Sequence, residues 1–172
     1  MDNSSLRPAV PSDASSLAAL SIEVWLGTYL RRGVTSFFAD FALSEFTPAR
    51  FTAMMQDPNE WVMVSQNEEG IDGYIRVTQG VTGPLEPCGS TEITTFYIQP
   101  RHHGKGIGKT LLTQALNHCR TLSAPSVWLA TNWENTPAIG FYKAMGFKEI
   151  GITHFKVGDE AYENKVFSME LG

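Results

Sequence analysis

The chain has 172 residues and a mass of 19.0 kDa, enough for one domain with a sizeable core. Hydrophobic residues at 42% and charged residues at 18% exclude a disordered chain. A formal net charge of −5 argues against a nucleic-acid partner, because phosphate backbones call for a dense cationic surface.

In chain order, Leu6 to Val10 reads as a short first strand. Ser12 and Asp13 can cap a helix with Leu17, Leu20, Val24 and Trp25 on its apolar positions. Gly27 and Gly33 are expected to interrupt the stretch that follows, leaving Leu30 to Phe46 as short helical pieces and turns. Pro48 opens another short helix through Phe51 and Met54. Trp61 to Ser65 and Ile71 to Thr78 form a hairpin around Asn67-Glu68-Glu69-Gly70, and Gly80 to Gly89 is a loop. Glu92 to Ile98 is the next strand, ended by Pro100.

Ile107, Leu111, Leu112, Ala115, Leu116 and Cys119 then share one helical stripe. Val127 to Ala130 is a strand, and Thr136 can cap a helix with Pro137 at its first position and Gly146 at its end. Phe147 to Phe155 and Lys165 to Leu171 close the chain as strands with Val157-Gly158-Asp159 near the turn between them. This order predicts a single α/β domain over residues 1–172: a mixed, largely antiparallel twisted sheet with helices on both faces.

No apolar run reaches the roughly 18 residues of a membrane helix. The start, Met1-Asp2-Asn3-Ser4-Ser5, has no basic or apolar export region, so a cytoplasmic protein without membrane contact is expected. Cys88 and Cys119 are then expected to be reduced thiols. His102, His103, His118 and His154 form no recognisable metal cluster, and Cys119 belongs to an apolar stripe rather than to a nucleophile.

The strand from Glu92 runs into Gln99-Pro100-Arg101-His102-His103-Gly104-Lys105-Gly106-Ile107-Gly108. Alternating glycines between strand and helix leave backbone N–H groups free to face an anion, and the helix start adds its positive dipole end. Arg101 and Lys105 add charge. The loop is not a nucleotide P-loop, because the glycine needed before Gly108-Lys109-Thr110 is replaced by His103.

Arg101-His102-His103-Gly104-Lys105-Gly106 resembles in full the signature of the GNAT superfamily of N-acetyltransferases. A second match runs from Trp128 to Phe147 through Asn135-Thr136-Pro137-Ala138, Phe141-Tyr142 and Gly146-Phe147. The closing strands, with Gly158-Asp159-Glu160 between them, resemble a bacterial spermidine/spermine acetyltransferase subgroup.

The resemblance implies acetyl-CoA as coenzyme. Tyr97 and Ile98 would pair with pantetheine; the loop and helix start (Arg101, His103, Gly104, Lys105, Gly106, Ile107, Gly108 and Lys109) would hold pyrophosphate. Asn135 would contact the coenzyme through its side chain. Tyr142 would protonate the departing thiolate, an amide near Ile98 would steady the oxyanion, and Glu92 would accept the amine's proton through water. Direct transfer needs no acyl-cysteine.

The partner implied is a small-molecule amine, a polyamine first, with a peptide amine or a non-enzymatic acyl-CoA sensor as alternatives. Trp25, Tyr29, Phe37 and Phe38 could wall the amine pocket beside the Gly80 to Gly89 loop, with Glu23, Asp40 or Glu45 attracting a cation. Exposed edge strands could support a homodimer.

Overall fold

The computed structural model describes residues 4–172; the expectation about the first residues falls partly on positions 1–3, outside them. Seven strands and five α-helices follow one another: β1 (Ser5–Pro8), α1 (Ala14–Tyr29), α2 (Ser36–Glu45), α3 (Pro48–Gln56), β2 (Glu60–Gln66), β3 (Ile71–Gln79), β4 (Thr91–Ile98), α4 (Ile107–Thr121), β5 (Ser126–Asn132), α5 (Thr136–Ala144), β6 (Lys148–Val157) and β7 (Glu160–Glu170). The sheet order is β1-β2-β3-β4-β5-β7-β6. β1 pairs antiparallel with β2, β7 antiparallel with both β5 and β6, and β4 parallel with β5. The mixed, mostly antiparallel sheet predicted from the sequence is the one formed.

Two compact units divide the chain, one spanning residues up to Val77 together with Thr95–Ala115, the other Thr78–Thr94 with Leu116–Gly172. In the first, Leu17 and Leu20 of α1, Phe51 of α3, Val64 of β2 and Tyr74 of β3 are buried together. Tyr74 is 1% exposed, and its hydroxyl lies 2.6 Å from the Ser21 hydroxyl, so the one polar atom of a core tyrosine is satisfied. In the second unit Val127, Leu129, Val166 and Phe167 are buried on the antiparallel β5·β7 pair. The β6·β7 hairpin turns at Gly158-Asp159, with Gly158 in the left-handed region (φ 58°).

Three local expectations are corrected. Gly27 does not interrupt α1, which runs on to Tyr29, and α2 is a ten-residue helix. One glycine costs a helix only about 1 kcal/mol, and burial of Trp25 outweighs it. Asp13 precedes α1 but makes no side-chain cap to it. Its carboxylate instead accepts from the Val10 N–H at 2.8 Å and from Arg7 at 2.7 and 2.9 Å. The cap of α5 is Asn135, one residue before Thr136, with Oδ1 accepting from the Ala138 N–H at 3.3 Å.

Candidate functional site

The glycine loop is built in the first unit. β4 ends at Ile98, and the Gln99 N–H donates to the Asp72 carbonyl of β3 at 2.9 Å. Pro100 then starts a short 3-10 turn, Pro100–His102. Gly104 and Gly106 have φ of +79° and +85°, where L side chains are strained, and a Cβ on either would meet nothing within 4 Å. Backbone conformation alone demands these two glycines, and the surface above them stays open. The first intrahelical bond of α4 runs from the Thr110 N–H to the Gly106 carbonyl at 3.1 Å. The N–H groups of Ile107, Gly108 and Lys109 therefore have no acceptor within the helix, the arrangement that suits a phosphate. These residues fit a pyrophosphate.

The charged side chains around the loop are less free than the sequence suggests. Gln99 Nε2 donates to Glu23 Oε2 at 2.9 Å, and Arg101 Nη2 donates to Glu23 Oε1 at 3.1 Å. His103 Nε2 donates to the Ile98 carbonyl at 3.0 Å, which folds this imidazole back on the strand end. Lys105 Nζ lies 3.2 Å from His102 Nδ1. Tyr97 turns its ring edge-on to Tyr74 at 5.9 Å, inside the core of its unit.

The expected aromatic wall is partly core. Trp25 is 4% exposed and stacks on Phe41 at 4.8 Å, with Tyr29 at 4.9 Å and Phe38 at 5.7 Å. Tyr29 and Phe38 are half-buried and stack on each other at 5.9 Å, while Phe37 is exposed and edge-on to Phe38. Of the three acids expected to attract a cation, Glu23 holds Arg101 and Glu45 holds Arg50 at 3.1 Å. Asp40 is exposed on α2.

The second unit carries the other candidates. Tyr142 on α5 is 7% exposed, its ring 5.7 Å from Phe141, 5.9 Å from Phe147 and 6.0 Å from Phe167. Burial pushes its phenol above the ordinary tyrosine range. Glu92 is half-buried on β4 and opposite Trp128 of β5 in the parallel register. Asn135 spends its side-chain oxygen on the α5 cap. Cys119 is buried, and burial pushes its thiol up to about 11, as expected of a core residue.

The loop between β3 and β4 closes on itself. The Val81 N–H donates to the Ser90 carbonyl at 3.1 Å and the Cys88 N–H to the Leu85 carbonyl at 3.0 Å. It surrounds a shallow hollow of about 390 Å³. A Cβ on Gly83 would overlap Cys88 Cβ, and one on Gly89 would lie 2.8 Å from Ser126 Oγ.

Sequence reasoning missed Gln99 and Asp72. Asp72 is 1% exposed on β3, with Oδ2 accepting from Ser4 and Asn67 at 2.8 and 3.1 Å and its carbonyl holding Gln99. Its signal was an acid one residue into a strand, beside Gly73 and Tyr74. Among the described residues no group of three or more histidine, cysteine or acidic side chains could hold a metal, and no helix is long and apolar enough to cross a membrane.

The mixed sheet thus carries its glycine loop where β4 hands over to α4. The family model for the acetyltransferase (GNAT) family matches residues 26–147, and the chain belongs to that family: it is an acetyl-CoA-dependent N-acetyltransferase. Its relatives include an uncharacterized N-acetyltransferase of Mycobacterium tuberculosis, 26% identical and covering 93% of this chain and 99% of the relative. Streptothricin acetyltransferase of Streptomyces lavendulae is 29% identical, over 85% of this chain and 82% of that one. The N-alpha-acetyltransferase RimI of Mycobacterium tuberculosis is 28% identical over 67% of this chain and 71% of its own. Among solved structures, the PaiA N-acetyltransferase of Thermoplasma acidophilum, in complex with coenzyme A, has the same fold at a TM-score of 0.78. It is 16% identical and covers 98% of this chain and 99% of that one.

Proposed function

We propose that this N-acetyltransferase acts on a primary amine of a small molecule, by direct transfer with both substrates bound. The observation that carries the coenzyme half is the pair of left-handed glycines, Gly104 and Gly106, ahead of the open first turn of α4. Acetyl-CoA, when bound, supplies the activated acetyl thioester. The backbone of residues 104–109 holds its pyrophosphate, with Lys105 beside it. The end of β4 at Tyr97 and Ile98 would hold the pantetheine, and an amide near Ile98 would donate to the oxyanion, already oriented when the charge appears. With His103 bonded to the Ile98 carbonyl, its part is to shape that strand end and not to meet a phosphate.

The amine must lose a proton before its nitrogen can attack the carbonyl carbon. Glu92 accepts that proton through water. As the carbon–sulfur bond breaks, the Tyr142 hydroxyl donates toward the sulfur. Burial pushes this phenol upward, which keeps it protonated at neutral pH and also makes it a weaker acid until the site is occupied. Asn135 fixes the start of α5, and thereby the helix that carries Tyr142, while its amide nitrogen remains for the coenzyme. The products are an acetamide and free CoA.

A small acceptor is favoured because streptothricin acetyltransferase is similar over most of both chains. A polyamine is the first acceptor to try, on the resemblance of the closing hairpin at Gly158-Asp159-Glu160. The internal pairing of Glu23 and Glu45 counts against a strongly acidic cage and leaves the cation to Asp40. Similarity to RimI favours, as a second reading, a peptide amine.

The test is CoA release from acetyl-CoA with spermidine, spermine, an arylalkylamine, an aminoglycoside and a short peptide, each against a no-amine control. Turnover on a small amine is expected. Turnover on the peptide alone would overturn the small-molecule reading. Tight acetyl-CoA binding without turnover on any of the amines would favour a sensor.

A further inference from the structure

We propose that Glu23 is a positioning residue for the coenzyme loop, acting through Gln99 and Arg101; the proposal rests on the coenzyme reading above. Glu23 lies in α1, and its two carboxylate oxygens are divided between two residues of one short segment: Oε2 takes the Gln99 amide and Oε1 the Arg101 guanidinium. Both contacts lie within the first unit and span 76 and 78 residues of chain.

Gln99 is the hinge of this arrangement. Its backbone N–H is fixed to β3 through the Asp72 carbonyl, and its own carbonyl accepts from the His102 N–H at 2.9 Å. The side chain then ties the same residue to α1. With β3 on its main chain and α1 on its side chain, the exit of β4 is held from two directions just before Pro100 turns the chain. The two glycines that follow impose no packing of their own, since a Cβ there would meet nothing within 4 Å. The entry to the loop must therefore set where its N–H groups point, and that is the end Glu23 holds.

Energetics point to positioning more than to stability. The Glu23 and Arg101 side chains are 38% and 66% exposed, and ion pairs that wet contribute little to folding. A cradle of N–H groups, by contrast, loses affinity when it must be ordered at the moment of binding. Glu23 was expected from the sequence to attract a cationic acceptor; here its carboxylate already holds a cation and an amide of its own chain. Two and six residues further along α1, Trp25 and Tyr29 enter the aromatic cluster, so the helix that steadies the loop is itself anchored by the buried Trp25 ring.

The experiment measures acetyl-CoA affinity calorimetrically, and steady-state kcat and KM, for the full chain and for Glu23→Ala, Glu23→Gln, Gln99→Ala and Glu23→Ala/Gln99→Ala. Glu68→Gln, in the β2–β3 turn, is the control for loss of one negative charge. Glu23→Ala is expected to weaken acetyl-CoA about five-fold with kcat and the thermal midpoint nearly unchanged, as loss of preorganisation requires. Glu23→Gln, which can still accept from Gln99, should recover part of that loss. The double variant should be no worse than the worse single one, because both break the same tie.

A lowered thermal midpoint with unchanged acetyl-CoA affinity would overturn the proposal in favour of a purely structural role. A raised KM for the amine alone would overturn it in favour of acceptor capture. Should Glu23→Ala fail to fold, Glu23→Gln and Gln99→Ala carry the same comparison. If the unaltered chain does not bind acetyl-CoA, the coenzyme reading falls and takes this proposal with it. If the unaltered chain binds and Glu23→Ala binds equally well, this proposal alone is lost.

Discussion

Two loops of this protein are rich in glycine, and they use it in opposite ways. In the loop leading into α4, Gly104 and Gly106 have left-handed backbone and open space where a side chain would be. In the loop between β3 and β4, Gly80 shares that geometry with φ +73°, but Gly83 and Gly89 do not, and their missing side chains are what let Cys88 and Ser126 approach. The first loop keeps open space above its glycines, while the second folds onto its own residues around a shallow hollow. A glycine count alone treats them as equals; the space around each Cα separates a candidate binding loop from a closed surface loop.

The sharpest test of this contrast removes chemistry without disturbing either loop. Tyr142→Phe should keep acetyl-CoA affinity while lowering kcat roughly 100-fold, the usual size of one proton-transfer contribution. Steady-state kinetics on the accepted amine would read it, and an unchanged kcat would return Tyr142 to a packing role beside Phe167. Next in size, Gly104→Ala/Gly106→Ala forces two L side chains into left-handed backbone at about 1–2 kcal/mol each. Acetyl-CoA affinity should then fall about ten-fold or more, measured by calorimetry.

Gly83→Ala should behave oppositely. Overlap with Cys88 should cost about 1–3 kcal/mol of stability in a denaturant titration, with acetyl-CoA affinity unchanged. Loss of affinity there would break the distinction between the two loops.

The smallest effect concerns neither loop. The Arg7 guanidinium bonded to Asp13 holds that carboxyl below the ordinary aspartate range, against the opposing effect of burial. A depressed folded-state value means stability that is present above the unfolded aspartate pKa and is lost as pH falls through the folded one. Arg7 is partly solvent-screened, so about 1 kcal/mol is expected. Asp13→Asn should flatten the acid limb of the stability profile by that amount, in unfolding curves taken between neutral pH and pH ~3.

Much of the fold was legible because its signals are local. Short apolar and β-branched runs between turn residues marked β2, β3 and β4, the stripe from Ile107 to Cys119 marked α4, and Gly146, with φ +100°, marked the end of α5. The errors were local contests decided by distant partners. Gly27 stayed helical because Trp25 is buried among Tyr29, Phe38 and Phe41. Asp13 was drawn from the α1 cap by Arg7. At α5 the cap moved one residue, from Thr136 to Asn135, within the scatter of such boundaries.

The candidate site divides along the same line. Its glycine loop could be read directly, because a left-handed backbone demands glycine wherever it occurs and the residue type records that demand. The roles of the charged side chains could not be read, because a carboxylate in the sequence carries no mark of its partner. Glu23 looked available to a cation and is held by Gln99 and Arg101.

The sequence by itself determined the family, the order of strands and helices, and the left-handed glycines of the loop into α4, since each depends on residues close together in the chain. Tertiary structure alone decided which charges are already paired and which aromatic rings are core. Hydrogen bonds and burial are settled by neighbours in space, and the residues that meet at Glu23 are more than seventy positions apart in the chain.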